Sequence, residues 1–380
     1  MLPGRPSGDS IIGGRQSVSD RLPDFPWDSL SEFAATARRH PDGIVDLSVG
    51  TPVDPTPAVI QQALAAGADS PGYPLTIGTV EVRQAAIDWL NRRFGVECLD
   101  LFSVLPVIGS KELISGLAVH LGLGPGDLVV QPALAYPSYE VGGVLAGAEV
   151  IAADSLTAIG PRRPAILWLN SPSNPTGKVL PPDHLKKVVD WCRERGTLLV
   201  SDECYLECVW EGEAYSVLHP EICGGSSEGI LSVHSLSKRS NLAGYRCAFV
   251  AGDSAVVSEL LAVRKNLGLQ IPGPQQVAMA AALNDDQHVK VQHGLYARRR
   301  RWLRDALVAA GFQIDHSEAS LYLWATKGED CWKTVADLAE QGILVAPGTF
   351  YGPSGREHVR VAFTATDERV GAAVERLAAL

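Results

Sequence analysis

The residues best suited to chemistry lie in the stretch SVHSLSKRSNLAGYRCAF, residues 232–249. An apolar run ends there in Ser235, Ser237 and Lys238, and Arg246 follows eight residues after the lysine. A lysine at the end of a buried strand loses hydration, so either an anion matches its charge or its amine acts as a nucleophile. The hydroxyl and guanidinium groups suit a phosphate. The stretch therefore predicts a reactive or ion-paired lysine beside an anion site.

Polar residues also end three other apolar runs, and each has a plain interpretation as a helix cap or a turn. VLPVI is followed by a glycine and then by Ser110 and Lys111, where the start of a helical pattern offers free backbone N–H groups to a phosphate. AILWL leads into NSPSNPTG, which contains Asn174. TLLVS is followed by Asp202, with Tyr205 three residues later. Ligands of parallel sheets bind beyond the carboxyl ends of the strands, so these residues are candidates for one site.

Together these groups are more specific than any one of them, because they match the needs of pyridoxal phosphate. That cofactor needs a phosphate cradle, a carboxylate that keeps its ring nitrogen protonated, donors to its ring oxygen and a desolvated lysine that bonds to it. The residues for these parts are, in the same order, Ser110, Ser235 and Arg246, then Asp202, then Asn174 and Tyr205, and finally Lys238. The sequence therefore predicts a pyridoxal-phosphate site and, with no zinc spacing among its cysteines and histidines, no metal site.

The elements that must position these residues alternate between about residues 100 and 265. Short apolar runs are separated by amphipathic helical patterns such as residues 182–196, which predicts an α/β fold with a mostly parallel sheet covered by helices on both faces. From about residue 286 a long helical pattern and shorter mixed elements predict a smaller α+β domain. We therefore expect a flexible tail over 1–20, a segment over 21–45 that packs with the small domain, a large cofactor-binding domain over 46–285 and a small domain over 286–380.

Three motifs carry a family resemblance: SLSKRSNLAGYR, NSPSNPTG and SDECY. They resemble those of the fold-type I, class I/II pyridoxal-phosphate aminotransferases, and the resemblance covers nearly the whole chain from about residue 22. It implies that Lys238 is the catalytic residue that bonds to the cofactor, and it supports the phosphate and ring contacts predicted above. One departure is visible, because Ala248 stands where the family usually has glycine.

Further motifs of the same resemblance extend the predicted site. AYPSY places Tyr136 on the face of the cofactor ring, and Lys111 follows Ser110 at the phosphate. LSVGTP and HVRVAFT place Gly50 and Arg360 around the substrate α-carboxylate, together with Asn174. YPLTIGTVEVR contains Tyr73, which the resemblance places at the phosphate of the partner subunit and which therefore implies a homodimer.

The match is closer to one subgroup, through residues 25–57 together with VIGSKELI, LAYPSY and YGPSG. These segments resemble the actinobacterial N-succinyldiaminopimelate aminotransferases of lysine and diaminopimelate biosynthesis. The resemblance implies an N-succinyl-LL-2,6-diaminopimelate:2-oxoglutarate aminotransferase. The alternatives are a class I aminotransferase for aspartate, alanine or an aromatic amino acid, and a pyridoxal-dependent β-lyase, because these enzymes share the same lysine.

The stretch over 262–276 is the candidate for the distal part of a substrate pocket. The hypothesis is that Lys265 or Gln270 contacts the far end of a long substrate bound by the partner subunit. The plainer interpretation makes Arg264 and Lys265 the solvated end of a helix.

Composition excludes several other classes of function. A net charge of -10 argues against broad binding to nucleic acid or an anionic membrane, and no apolar run reaches the roughly 18 residues of a membrane span. The RRRR run over 298–301 lies in a helical pattern, which favours a solvated face or inter-domain ion pairs. Seven scattered cysteines without paired spacing indicate reduced, mostly buried thiols in a cytoplasmic protein.

Overall fold

A computed structural model describes residues 17–379, so residues 1–16 of the predicted tail lie outside the described residues. The strands of the described part are β1 Val45–Asp46, β2 Val104–Ile108, β3 Leu128–Gln131, β4 Glu149–Ala152, β5 Ile166–Asn170, β6 Leu198–Asp202, β7 Ile230–Ser235, β8 Cys247–Gly252, β9 Gln313–Asp315, β10 Tyr322–Thr326, β11 Ile343–Leu344, β12 Ala346–Pro347 and β13 His358–Ala362.

The α-helices of the same part are α1 Val18–Arg21, α2 Ser31–Ala37, α3 Ala58–Ala66, α4 Val80–Phe94, α5 Ser110–His120, α6 Ser138–Ala146, α7 Leu156–Ile159, α8 Pro182–Arg195, α9 Pro220–Cys223, α10 Leu236–Arg239, α11 Ser254–Leu267, α12 Gly273–Asn284, α13 Gln287–Ala309, α14 Cys331–Glu340 and α15 Asp367–Leu377. Short 3₁₀ turns cover Pro26–Leu30, Ala243–Tyr245, Gly348–Tyr351 and Pro353–Gly355.

The larger sheet has seven strands in the order β2-β8-β7-β6-β5-β3-β4. Only β8 runs against its neighbours, and the other pairs are parallel. Separate clusters of buried side chains cover its two faces, as two helical layers require. The predicted α/β fold with a mostly parallel, helix-covered sheet is confirmed. The methyl of Ala248 is fully buried in β8, opposite Ser235.

The register of this sheet explains why its polar strand ends meet. In the parallel pairing of β5 with β6, Asn170 lies opposite Asp202, and in that of β6 with β7, Asp202 lies opposite Val233. The connecting helices are set by local sequence, as α8 shows: Pro182 opens it, where the missing N–H costs nothing, and Gly196 ends it at a φ of 64°. The carboxyl ends of β5, β6 and β7 therefore lie side by side.

The second group of elements contains an antiparallel sheet with the strand order β12-β13-β10-β9. It also contains the short parallel pair β1-β11. Helices α13, α14 and α15 pack against it, and α2 packs on α14 and β11. Its buried side chains form a hydrophobic core of their own. On this ground we retain the division of the chain at residues 46 and 286 as a proposal.

The arginine run over 298–301 lies in α13 and forms ion pairs with carboxylates outside this helix. Arg298 and Arg299 both pair with Asp367 of α15, and Arg300 pairs with Glu211 at 2.6 Å. Arg299, through Asp54, and Arg300, through Glu211, therefore form ion pairs between the two proposed domains, whereas Arg298 pairs within the small one. In residues 17–379 no helix is long and apolar enough to cross a membrane, and no cluster of side chains suited to a metal ion occurs.

Candidate active site

The carboxyl ends of β5, β6 and β7 open into a cavity of about 1370 Å³. All the cofactor and α-carboxylate residues predicted from the sequence line this cavity except Tyr73, and the distal candidates Lys265 and Gln270 also lie outside it. The cavity also reaches the antiparallel sheet, since Tyr322 of β10 and Arg360 of β13 form part of its wall. The fold therefore brings together residues that are more than 300 positions apart, as the Arg360 bond to Ser48 illustrates.

One end of the cavity is built for an anion. Helix α5 begins at Ser110, after Gly109 at a φ of 78°, and a Cβ on Gly109 would overlap the Arg246 guanidinium. Lys111 lies nearby, and burial together with the Arg246 charge lowers the pKa of Lys111. Neither cation pairs with a carboxylate in the described part of the chain. Two unpaired cations at the start of an eleven-residue helix fit a phosphate.

Ser235 completes this end from the neighbouring strand. It is the last residue of β7 and caps α10, where its Oγ accepts the Ser237 N–H at 3.2 Å. Arg246 follows in a left-handed conformation at a φ of 58°, and its Nη1 donates to the Ala243 carbonyl at 2.8 Å. The sequence motif therefore gathers Ser235, Lys238 and Arg246 around one turn of backbone.

Asp202 ends β6 as a carboxyl group that is completely enclosed. Burial raises its pKa, against hydrogen bonds from Cys204 and Tyr139. The Tyr139 hydroxyl donates to Asp202 Oδ2 at 2.8 Å, and the Cys204 N–H donates to Oδ1 at 3.1 Å. No cationic side chain within residues 17–379 pairs with Asp202. A buried carboxylate with oriented oxygens and no protein cation fits the protonated ring nitrogen of pyridoxal phosphate.

Tyr139 is a site residue that the sequence analysis missed. Its ring stacks on Trp168 of β5 with a centroid separation of 4.7 Å and an interplanar angle of 16°. Tyr136, the predicted ring-face residue, meets Tyr139 edge to face at 5.9 Å. The available signal was the second tyrosine of AYPSY, one helical turn after the first. Tyr139 therefore holds Asp202 while Tyr136 faces the cavity.

Arg360 provides a second cationic position, on the opposite wall. Only 3% of it is exposed, and its Nη1 and Nη2 donate to Asn174 Oδ1 and the Ser48 carbonyl, both at 2.8 Å. Its guanidinium carbon lies 3.8 Å from the centre of the Tyr322 ring. Among the described residues Arg360 has no carboxylate partner. It is therefore arranged to receive a carboxylate from a ligand.

The loop at Gly50 closes the space between Arg360 and the lysine. A Cβ on Gly50 would lie within the Tyr322 side chain, so only glycine fits there. The Lys238 amine donates to the Gly50 carbonyl. Tyr322 also shares a hydrogen bond of 3.0 Å with the hydroxyl of Tyr205. Tyr322 was missed because it lies in a distant antiparallel strand whose pattern indicates only a buried core residue.

Two predicted contacts do not form within a single chain. Tyr73 is 97% exposed and lies outside the cavity of its own chain. Lys265 and Gln270 also do not line that cavity. The interpretation of Arg264 as part of a solvated helix end is wrong, because Arg264 is fully buried and its two Nη atoms bind the Glu112 carboxylate at 2.9 and 2.8 Å.

Known proteins resemble this chain over most of its length. Residues 42–377 match the family model for aminotransferase class I and II. A probable aminotransferase of Mycobacterium tuberculosis is 59% identical, over 98% of this chain and 90% of that protein. The 4-dedimethylamino-4-oxo-anhydrotetracycline transaminase of Streptomyces rimosus is 54% identical, over 94% of this chain and 99% of that protein.

A solved structure gives the same result for the fold. The probable N-succinyldiaminopimelate aminotransferase of Thermus thermophilus superposes with a TM-score of 0.83 at 29% identity, over 93% of this chain and 100% of the other. The family is pyridoxal-phosphate-dependent, and the anion end and the enclosed Asp202 fit that cofactor. The chain therefore belongs to the class I and II aminotransferases and uses pyridoxal phosphate.

Proposed function

We propose that this aminotransferase transfers an amino group between N-succinyl-LL-2,6-diaminopimelate and 2-oxoglutarate in lysine and diaminopimelate synthesis. The observation that carries the proposal is the buried Arg360, which has no acidic partner in residues 17–379 and shares a cavity with Lys238. The volume of about 1370 Å³ leaves room for a substrate longer than glutamate. The resemblance to an N-succinyldiaminopimelate aminotransferase of the same fold supports the choice of substrate.

The proposed roles follow from where each side chain lies. Pyridoxal phosphate, when bound, supplies a conjugated ring that stabilises negative charge at the substrate Cα. Lys238 would hold the cofactor covalently at rest, and its amine, once the substrate amine has displaced it, would carry the proton from the substrate Cα. Arg360 and Asn174 hold the α-carboxylate, with Gly50 closing over it. Asp202 keeps the proton on the ring nitrogen, and its orientation is fixed by Tyr139.

The remaining cofactor contacts are proposed from the same cavity. Ser110, Lys111, Ser235 and Arg246 bind the phosphate, because they surround the start of α5. Tyr136 faces the ring. Tyr205 would donate to the ring oxygen, and its hydrogen bond with Tyr322 would help to orient its hydroxyl group.

A panel of substrates tests this function. The holoenzyme should convert the N-succinyl substrate and 2-oxoglutarate to glutamate with a higher kcat/KM than it shows for aspartate, alanine or phenylalanine as donor. Pyruvate and ammonia released from a β-substituted donor without any oxo acid would instead indicate a β-lyase. Preference for one of the small donors would contradict the substrate but leave transamination in place.

A second candidate substrate is a polycyclic ketone. The wall of the cavity includes Phe25, Trp27 and Phe350. The centre of the Trp27 ring lies 5.6 Å from that of Phe25 and 5.3 Å from that of Phe350. Such a surface stacks well on a flat aromatic ligand. The Streptomyces relative, 54% identical, is named for a 4-oxo-anhydrotetracycline. Amination of such a ketone, with no turnover of the N-succinyl substrate, would select this candidate.

We also propose a cytoplasmic homodimer in which Tyr73 reaches the phosphate bound by the partner subunit. Tyr73 is 97% exposed and its neighbour Leu75 is 68% exposed, which is costly for a free surface but usual for an interface. All seven cysteines are free thiols, as is usual in a reducing compartment. Light scattering should give twice the chain mass, and Tyr73→Ala should weaken cofactor binding. A fully active monomer would contradict the proposal.

For the distal end of the substrate we propose Lys265 or Gln270, acting from the second subunit. Lys265 is exposed and Gln270 is partly exposed at the end of α11 and in the loop after it. Losing one such polar contact costs about 1–3 kcal/mol. Lys265→Ala and Gln270→Ala should therefore lower kcat/KM for the N-succinyl substrate by roughly five- to 150-fold and spare glutamate. Unchanged ratios in both variants would place the distal pocket elsewhere.

A further inference from the structure

Away from the cavity, two cysteine thiols lie together. Cys98 is in the loop after α4, and Cys223 is the last residue of α9. Both sulfurs lie within hydrogen-bond distance of the same oxygen, the Leu218 carbonyl, at 3.7 Å for Cys98 and 3.3 Å for Cys223. The fold thus brings together two thiols that are far apart in the sequence.

The surroundings favour a thiolate at Cys223. The Cys98 thiol has the largest effect on Cys223. Together with the backbone N–H groups of Gly225 and Ser226 and the Arg193 charge, it lowers the pKa of Cys223 to about 6 against the effect of burial, whereas the pKa of Cys98 rises. Arg193 is held in place because its Nη1 and Nη2 donate to the carbonyls of Cys223 and Ser226 at 2.8 and 2.7 Å.

Three other cysteines show what an inert thiol looks like in this chain. Cys192, Cys208 and Cys247 are buried, and burial raises the pKa of each to about 12. Cys223 is as buried as these three, but its neighbour Cys98 is partly exposed, which gives a small oxidant a way to the pair. A stabilised thiolate beside a second, accessible thiol is the arrangement of redox-sensitive cysteines.

We propose that Cys98 and Cys223 form a reversible oxidation site that a hydroperoxide converts to a disulfide. The Cys223 thiolate attacks one peroxide oxygen, the O–O bond breaks, and the sulfenic acid and one water form. The Cys98 sulfur then attacks the Cys223 sulfur, the S–S bond forms, and the S–O bond breaks to release a second water. The two thiols lose two electrons and two protons, and one hydrogen peroxide becomes two waters. A dithiol reductant reverses the change.

Peptide mapping of the holoenzyme tests the proposal. The protein is treated with one to ten equivalents of hydrogen peroxide and unfolded in denaturant that contains an alkylating agent for free thiols. It is then digested without reduction. Trypsin alone is insufficient, because no lysine or arginine separates Cys204, Cys208 and Cys223. A second protease that cuts after Glu213 isolates Cys223. The expected product is a Cys98–Cys223 linked peptide that a dithiol removes, with Cys192 still alkylated.

Variants make the result decisive. Cys98→Ser replaces a partly exposed residue, so it should fold, and Cys223 should then stop at sulfenic acid, which a dimedone probe labels. Cys192→Ser, the matched control in the neighbouring helix α8, should leave the linked peptide unchanged. Oxidation of the wild type should raise its Tm, because the link closes a long loop, and should leave the Tm of Cys98→Ser unchanged. Alkylation of both Cys98 and Cys223 after ten equivalents, or a linked peptide joining other cysteines, would overturn the proposal.

Discussion

Two arginines of this protein are equally buried and have opposite surroundings. Arg299 of α13 and Arg360 of β13 are each 3% exposed. Arg299 binds both oxygens of Asp54 at 2.7 Å and one oxygen of Asp367 at 2.7 Å. Arg360 binds only an amide oxygen and a backbone carbonyl, with aromatic rings against its faces. In the first case the protein supplies the counter-charge, and in the second it does not.

The difference separates a structural cation from a functional one. A buried charge is costly unless it is paired, and Asp54 and Asp367 offset that cost for Arg299. The neutral acceptors and rings around Arg360 offset it only in part, and we propose that a ligand carboxylate completes the site. Arg264 is another buried and paired cation, bound by Glu112, whereas Arg246 is exposed at the anion end of the cavity and no described carboxylate pairs it. We therefore propose unpaired charge, as at the buried Arg360, as a marker of where this protein binds its ligands.

The largest effect on activity is expected at Lys238, whose side chain lines the same cavity as Arg246 and Arg360. Lys238→Ala should lower the transamination rate by about 10²–10⁴-fold from lost proton transfer alone, while the phosphate residues still retain the cofactor. Stopped-flow rates and the absorbance of bound cofactor measure the two properties. Borohydride reduction of the wild type followed by peptide mapping should find the cofactor on Lys238. A label on another lysine would contradict the assignment.

The contrast between the two arginines can be tested with a pair of variants. Arg299→Ala leaves Asp54 without a cationic partner and removes one of the two arginines on Asp367, so it should reduce the free energy of unfolding by about 3–5 kcal/mol with little change in KM. Arg360→Ala should lower kcat/KM by about 10- to 150-fold for all amino and oxo acids, because charge-assisted bonds to the α-carboxylate are lost, with little change in Tm. Denaturant melts and steady-state kinetics measure both. If the two variants changed the same property, the distinction would fail.

Glu203 tests whether unpaired buried charge can also occur outside the ligand site. Burial raises its pKa from 4.5 to about 7, and its neighbour His234, whose pKa burial lowers to about 3, stays neutral. The carboxyl therefore stabilises the fold fully below pH 4.5, and this contribution is lost as the pH rises to about 7. As the pH rises from 4.5 to 8, the free energy of unfolding of Glu203→Gln should increase by up to about 3 kcal/mol relative to that of the wild type.

Denaturant melts across this pH range measure the effect, with the exposed Glu375→Gln as the control. A difference between wild type and Glu203→Gln that does not vary with pH would show that the carboxyl is charged throughout. That outcome would require a cation near Glu203 and would weaken the use of unpaired charge as a marker.

The smallest effect is expected at Arg246, at the anion end. Arg246→Ala should weaken cofactor binding by about 10- to 150-fold, because one charge-assisted contact to the phosphate is lost while Lys111 and the start of α5 remain. Equilibrium dialysis of the cofactor measures the loss. Arg360→Ala is the control, since it should retain the cofactor with unchanged affinity. Equal loss in both variants would refute the separation of phosphate and carboxylate ends.

Much of the site could be predicted because parallel strands have a direction. Apolar runs with polar ends indicate β5, β6 and β7, and their carboxyl ends must share one edge of the sheet. Asn174, Asp202 and Lys238 could therefore be grouped from the sequence. Tyr139 and Tyr322 could not, because a tyrosine in a buried pattern has the same signature whether it packs in a core or contacts a site residue.

The sequence by itself determined the α/β fold class, the family and the chemical types of the site residues, since these depend on periodicity and on motifs within a few residues. Only the tertiary structure decided which charges are paired. Arg264 looked solvated and is fully buried on Glu112, 152 positions away. Cys98 and Cys223 looked unrelated and share one carbonyl oxygen. Contacts of this kind depend on how helices and strands pack, and local sequence patterns carry no information about the partner across such a gap.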